Sequence, residues 1–169
     1  ALEPKVLGAW NLHVATKDCS LDQFICFSSF SSIIGGARQG NYNAGNCFLD
    51  ALAQHRHAVG LPSLTTNWSA LRGAGFVERN EKTAQYLDKL GMKSLDLQEV
   101  FGIIRRMLSR DPIQIAACRA DWQSLARLSP LVATSNTFAD LIRRQQPGDT
   151  SGSLRRRMLM ASPQDRLDL

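Results

Sequence analysis

Phe24-Ile-Cys-Phe-Ser-Ser-Phe-Ser-Ser32, Tyr42-Asn-Ala-Gly-Asn-Cys-Phe-Leu-Asp-Ala-Leu52 and Ser63-Leu-Thr-Thr-Asn-Trp68 follow one another along the chain. Leu21 to Phe27 is a short, mostly apolar run that suits a buried strand. Ser28 to Gly40 is rich in serine and glycine, with Gly35-Gly36 as a turn signal. Tyr42 to Val59 reads as a helix with Phe48, Leu49 and Leu52 as apolar positions, closed by Gly60 and Pro62. Ser63 to Trp68 is a second strand. Strand, helix and strand in that order predict a parallel pair joined by a right-handed crossover.

The pattern extends both ways. Upstream, Val6, Leu7, Trp10 and Val14, with His13, recur at helical spacing after Pro4. Downstream, Leu71 to Arg79 is a glycine-bearing loop and Glu81 to Leu90 a short helix. Ser94 is the expected N-cap of a helix running to about Ser109, with Asp96 and Glu99 near its positive end. Asp111-Pro112 stops it, and Ile113 to Cys118 is a third strand, ending near Asp121-Trp122. Beyond Leu131 the pattern weakens. Thr134 to Thr137 and Gln145 to Ser153 read as linker, and Leu154 to Met160 as the start of another helix. The expected fold is therefore α/β with a parallel sheet. Three strands are few for such a sheet, and no Gly-x-Gly-x-x-Gly follows a strand. The chain reads as the second half of a larger unit.

With 169 residues, 44% hydrophobic, the chain can bury a core. Its net charge of +5 comes partly from arginines near the C-terminus. No zinc spacing and no aromatic–basic ribbon accompanies that charge, so no nucleic-acid partner is expected. Cys19, Cys26, Cys47 and Cys118 show no metal spacing, and Cys26 and Cys47 read as small core residues. His55 and His57 point to different helix faces, so no metal site is expected. Free thiols, no signal peptide and no long apolar segment predict a cytoplasmic protein without a membrane partner.

Some residues suit carbonyl chemistry. A carbonyl that accepts hydride gains negative charge on oxygen. A phenol can give that oxygen a proton, a nearby cation favours the phenolate left behind, and a hydroxyl can hold the carbonyl. Tyr42, Lys5 and Ser29 are the right types for these three tasks. Asn46, at i+4 from Tyr42, shares its helix face and can hold Lys5 or a water. Read blandly, the same residues are a packing tyrosine, a solvated lysine and a loop serine.

From Pro4 to Trp68 the chain resembles the C-terminal half of the ketoreductase domain of polyketide synthases, in the short-chain dehydrogenase/reductase superfamily. Pro4-Lys-Val-Leu-Gly-Ala-Trp-Asn-Leu-His13, Phe24 to Ser32, Gln39 to Ala53 and Gly60 to Trp68 carry the resemblance. Tyr42-x-x-x-Asn46 with Lys5 upstream matches that family's placement of the lysine on the preceding helix. The resemblance implies a Rossmann-like sheet with a helical lid. It implies Tyr42 as proton donor, and Lys5 as the cation that assists Tyr42 and contacts the nicotinamide ribose. Ser29 would orient the carbonyl, and Asn46 would complete the tetrad. It implies NADPH as cofactor, its phosphate-binding loop lying in an upstream half of the domain, and a β-ketoacyl thioester on an acyl carrier domain as substrate. Residues 1–122 would then be ketoreductase, 123–153 linker, and 154–169 the start of a carrier domain, whose phosphopantetheine serine is not among them. Ser69 stands after Trp68 where that family commonly has glycine. Two other readings compete: an inactive structural or docking piece, and an intact small α/β binding domain.

Overall fold

The computed structural model describes residues 2–36, 39–73 and 81–145. The second linker stretch (from 146), the carrier-domain start and most of the 71–79 loop lie outside the described residues. The chain divides into two compact units, 1–119 and 120–169.

In the first unit a π-helical turn (Pro4–Gly8) runs into α1 (Ala9–Thr16). Then come β1 (Ile25–Ser29), α2 (Ser31–Ile34), α3 (Gly40–Ala58) and β2 (Leu64–Trp68). They are followed by α4 (Glu81–Lys89), β3 (Met92–Lys93), α5 (Leu97–Leu108) and β4 (Gln114–Ala117). The two-residue β5 (Arg119–Ala120) spans the division.

β1, β2 and β4 form one parallel sheet in that order. Ile25 stands opposite Leu64 and Ser29 opposite Trp68; Thr65 stands opposite Gln114 and Trp68 opposite Ala117. The parallel α/β expectation is met. β2 is central, and all five of its residues are buried. Because β1 and β2 are parallel, α3 must run back against them. Its first turn therefore lies at the carboxyl ends of the strands, where open α/β sheets hold ligands.

Two apolar clusters pack around the sheet. Ala9, Cys26, Leu49 and Leu52 form one apolar cluster, with Phe24 and Phe48 against it. Trp68, Leu95, Val100 and Ala117 form another, with Leu71, Ile103 and Ile104. Val59 caps α3 at its C-terminus, and Gly60 takes the left-handed conformation (φ 77°) that a side chain would strain. α2 ends likewise on Gly35 (φ 75°, ψ −178°), a conformation that suits only glycine.

Several expectations need correction. The buried face of α1 is Ala9 and His13, whereas Leu7, Trp10 and Val14 are exposed. Cys47 is exposed; only Cys26 belongs to the core. α5 is capped by Asp96, not Ser94: Asp96 Oδ1 accepts from Glu99 N–H (2.8 Å), and Glu99 Oε2 accepts from Asp96 N–H (3.0 Å). This reciprocal box satisfies two otherwise unpaired donors, and its aspartate is worth about 1 kcal/mol to the helix.

In the second unit, α6 (Trp122–Leu128) and α7 (Pro130–Thr134) lead into α8 (Asn136–Arg144), which forms where the sequence pattern weakens. Leu125 and Val132 are fully buried, and Trp122 stacks on Phe138 at 5.5 Å. The Ser124 hydroxyl and amide both bond the Asp121 cap and hold its carboxyl below the usual carboxylate range.

α1 and α3 are tied by Arg56, which is fully buried. Its Nη1 lies 3.1 Å from His13 Nδ1, its Nε donates to Pro62 O (3.1 Å), and its guanidinium covers the Phe24 ring at 3.9 Å. Arginine only donates, so His13 Nδ1 is the acceptor and its proton sits on Nε2. Burial first, then the Arg56 charge, lowers the His13 pKa below 6.5. Above pH 6.5 the ring is neutral in both folded and unfolded chain. As pH falls from 6.5 through the lowered folded value, only the unfolded chain gains the proton, so stability is lost. The urea midpoint should therefore decline from pH 7.5 to pH 5, and His13→Gln should flatten that decline. An unchanged slope would refute the pairing. Burial also pushes the Cys26 and Cys118 thiols up to about 11. In the folded chain at pH 8, Cys19 and Cys47 should label rapidly with a thiol reagent and the other two slowly. Equal labelling of all four would contradict the packing.

Candidate active site

The carboxyl end of β1 and the first turn of α3 bring the sequence candidates into one region. Lys5 Nζ donates to Phe27 O of β1 at 3.0 Å. That bond holds the ammonium 5.8 Å from the centroid of the Tyr42 ring. Lys5 is half-buried, and Tyr42 remains 38% exposed, open to a substrate.

Asn46 lies one turn beyond Tyr42 and is fully buried. Its Nδ2 donates to Tyr42 O at 2.8 Å, so its amide braces the helix that carries the phenol. Its backbone O accepts from Ser28 Oγ (3.2 Å), which fastens α3 to β1. Asn46 therefore grips its own helix, while the Phe27 carbonyl holds Lys5. Asn46 Oδ1 finds no partner among the described residues.

Ser29 closes β1 beside Trp68. Phe30 N–H donates to Trp68 O (2.8 Å) and turns the chain there into α2. Ser29 Oγ accepts from Ser31 N–H (3.3 Å) and from Ser31 Oγ (3.0 Å), which leaves its own proton free to donate.

Four buried polar atoms without partners among the described residues belong to these same segments: Asn43 Oδ1, Asn46 Oδ1, Trp68 Nε1 and Ser69 Oγ. Buried polar atoms are ordinarily paired, so unpaired ones at a strand's carboxyl end suit a bound ligand. Lys5 Nζ uses one of its three donors on Phe27, leaving two. Those two donors suit the ribose hydroxyls of a nicotinamide cofactor. Among the described residues, no group of three or more His, Cys, Asp or Glu could hold a metal ion. Nor is any helix there long and apolar enough to cross a membrane.

Sequence reasoning missed a second layer beneath these groups. The Asp50 carboxylate and the fully buried Asn67 amide gather Ser28, Ser32, Thr65 and Gln114. The available signal was an amide in the middle of an otherwise buried strand.

Residues 1–73 match the model of the KR domain family. Polyketide synthase GfsB of Streptomyces halstedii is 34% identical across 98% of this chain. Squalestatin tetraketide synthase clz2 of Cochliobolus lunatus is 36% identical across 69%. A solved structure of A-type ketoreductases from a modular polyketide synthase aligns over 79% of this chain, with a TM-score of 0.73 and 29% identity. The chain is part of a polyketide synthase ketoreductase. The first ketoreductase of the tylosin synthase aligns over 87% of the chain at the same TM-score and 28% identity. The match is to a part: the chain spans 3% of GfsB and 5% of clz2, and 27% and 33% of the two solved chains.

This ketoreductase segment should depend on the Asn46 brace. Asn46→Leu removes the Tyr42 carbonyl's side-chain partner and buries apolar bulk in its place. It should lower the melting temperature of the intact polypeptide by a few degrees, consistent with about 0.5–1.5 kcal/mol for a lost hydrogen bond. An unaltered melting temperature would show that the brace is dispensable.

Proposed function

We propose that this segment carries the proton-donating half of a ketoreductase active site. In the intact polypeptide it would reduce a β-ketoacyl thioester, borne on an acyl carrier domain, to the β-hydroxyacyl thioester. The single observation that carries this reading is the Lys5 ammonium beside the Tyr42 ring, delivered by a separate chain segment and held by a strand carbonyl. A lysine with only a structural role has no need of a phenol at that place.

NADPH, when bound, supplies the hydride to the carbonyl carbon. The π pair of the C=O bond moves onto oxygen. Tyr42 Oη gives that oxygen its proton, and the alcohol forms. The phenolate left on Tyr42 is stabilised by Lys5 until a proton returns from solvent. Ser29 Oγ donates to the carbonyl oxygen and fixes which face is presented. Lys5 has two donors left for ribose hydroxyls. Asn46 keeps the first turn of α3 in place, and its free Oδ1 can hold a water on the proton's return path. The phosphate-binding loop would come from the upstream half of the domain.

The test is NADPH oxidation by the intact polypeptide with a β-ketoacyl thioester. Tyr42→Phe should lower kcat by about 10²–10⁴-fold, the usual contribution of a positioned acid, while NADPH still binds. Ser29→Ala should lower it by a smaller factor. A Tyr42→Phe protein that reduces ketones at the parent rate would remove Tyr42 from the chemistry.

A further inference from the structure

Asp50 has no part in the chemistry above, yet more side-chain donors converge on it than on Tyr42 or Lys5. It lies about two turns along α3 from Tyr42. Ser32 Oγ donates to Oδ2 (2.7 Å) and Thr65 Oγ1 to Oδ1 (2.9 Å). Asn67 Nδ2 lies 3.0 Å and 2.9 Å from the two carboxylate oxygens. The Asn67 amide is fixed in this sense, because turning it over would set Oδ1 against the two carboxylate oxygens, and Oδ1 instead accepts from Gln114 Nε2 at 3.0 Å.

Two of those donors also face the Ser29 carbonyl. Ser32 Oγ is 2.8 Å from Ser29 O, and Asn67 Nδ2 is 3.4 Å from it. Asp50 is thus one bridging group away from the Ser29 backbone on two routes, and the two bridges also bond each other, Asn67 Nδ2 donating to Ser32 Oγ at 2.9 Å. It also shares a helix with Tyr42. We propose that Asp50 is a positioning residue that sets the Ser29 turn relative to the Tyr42 helix. This rests on the reading of Ser29 and Tyr42 as the groups that face the substrate carbonyl.

The chemistry requires an acceptor at this place. Three donors converge, and only a carboxylate can accept from all of them. An asparagine would turn its own NH2 toward one donor, and the freed Ser32 or Asn67 group would fall back on Ser29 O. That pulls the Ser29 turn away from α3. Thr65 provides the contrast. It bonds the same carboxylate, but its hydroxyl does not bridge to the Ser29 turn.

The test uses the intact polypeptide and compares Asp50→Asn, Ser32→Ala and Thr65→Val. Single-turnover reduction, NADPH Kd, melting temperature and the ratio of the two alcohol stereoisomers are read for each. Asp50→Asn should slow reduction about tenfold to a hundredfold, as misplaced reacting groups do. NADPH Kd should stay within about twofold of the parent, since the nucleotide contacts proposed for Lys5 are untouched. The minor alcohol should rise, because the carbonyl is less firmly held. Ser32→Ala should shift the alcohol ratio the same way, which keeps the test intact if Asp50→Asn fails to fold. Thr65→Val should lower the melting temperature while leaving rate and ratio near the parent values. If neither Asp50→Asn nor Ser32→Ala changes the ratio, or if Thr65→Val changes it equally, the positioning role is overturned. Tyr42→Phe in the same assay separates the two ideas: parent-like reduction there would sink the site itself, whatever Asp50 does.

Discussion

A lysine ammonium held by the carbonyl of Phe27 is the contact on which this arrangement turns. Lys5 sits in a helical turn 22 residues before its acceptor. Left free, a four-carbon side chain would extend into water and carry its charge away from Tyr42. The strand carbonyl removes that freedom. It can do so because Phe27 is in β1, whose position is set by parallel pairing with β2. The same pairing obliges α3 to start at the strands' carboxyl ends. Pairing, crossover direction and lysine placement are therefore one constraint seen at three scales.

The buried polar layer shows how much this end of the sheet gives up for definition. Asn67 and Thr65 are fully buried on the strand between β1 and β4. Apolar residues there would pack with less risk, since each buried amide or hydroxyl costs about 1–3 kcal/mol when unpaired. Here the groups are paired through Asp50, and the result is a specified register rather than extra stability. Beside this layer, with Cys26 opposite Thr65 and Leu49 next to Asp50, lies the apolar cluster of Ala9, Cys26, Leu49 and Leu52. Stability and positioning are thus drawn from neighbouring side chains of one helix–sheet contact.

Much of this was legible in the sequence. Tyr42 and Asn46 share a face because i and i+4 must, and the run Ser63 to Trp68 matches β2 closely, whereas the run Leu21 to Phe27 was placed too early for β1 (Ile25–Ser29), whose last two residues are serines that read as loop. The place of Lys5 beside Tyr42 came only through family resemblance, because nothing local links a turn to a helix so far along the chain. Leu7, Trp10 and Val14 are as apolar as a core face yet exposed, while the buried residues of α1 are the small Ala9 and the polar His13, which Arg56 holds. Ser94 looked like a cap by type, but Asp96 has the partner Glu99 at the spacing a capping box needs. The helices of 122–144 were hidden by their shortness, and by a serine and an aspartate that serve as caps, Ser135 and Asp121. Asp50 was invisible as a functional residue because its partners come from α2 and β2, which only folding brings together.

The central claim is that Lys5 acts through Tyr42 and not beside it. A double-mutant cycle on single-turnover reduction of a β-ketoacyl thioester measures this directly, with Lys5→Met, Tyr42→Phe and both together in the intact polypeptide. At saturating NADPH, where the ribose contacts proposed for Lys5 no longer limit the rate, the account predicts that the double variant is no slower than Tyr42→Phe alone, since the ammonium has no phenolate left to stabilise. Losses that simply multiply would contradict it.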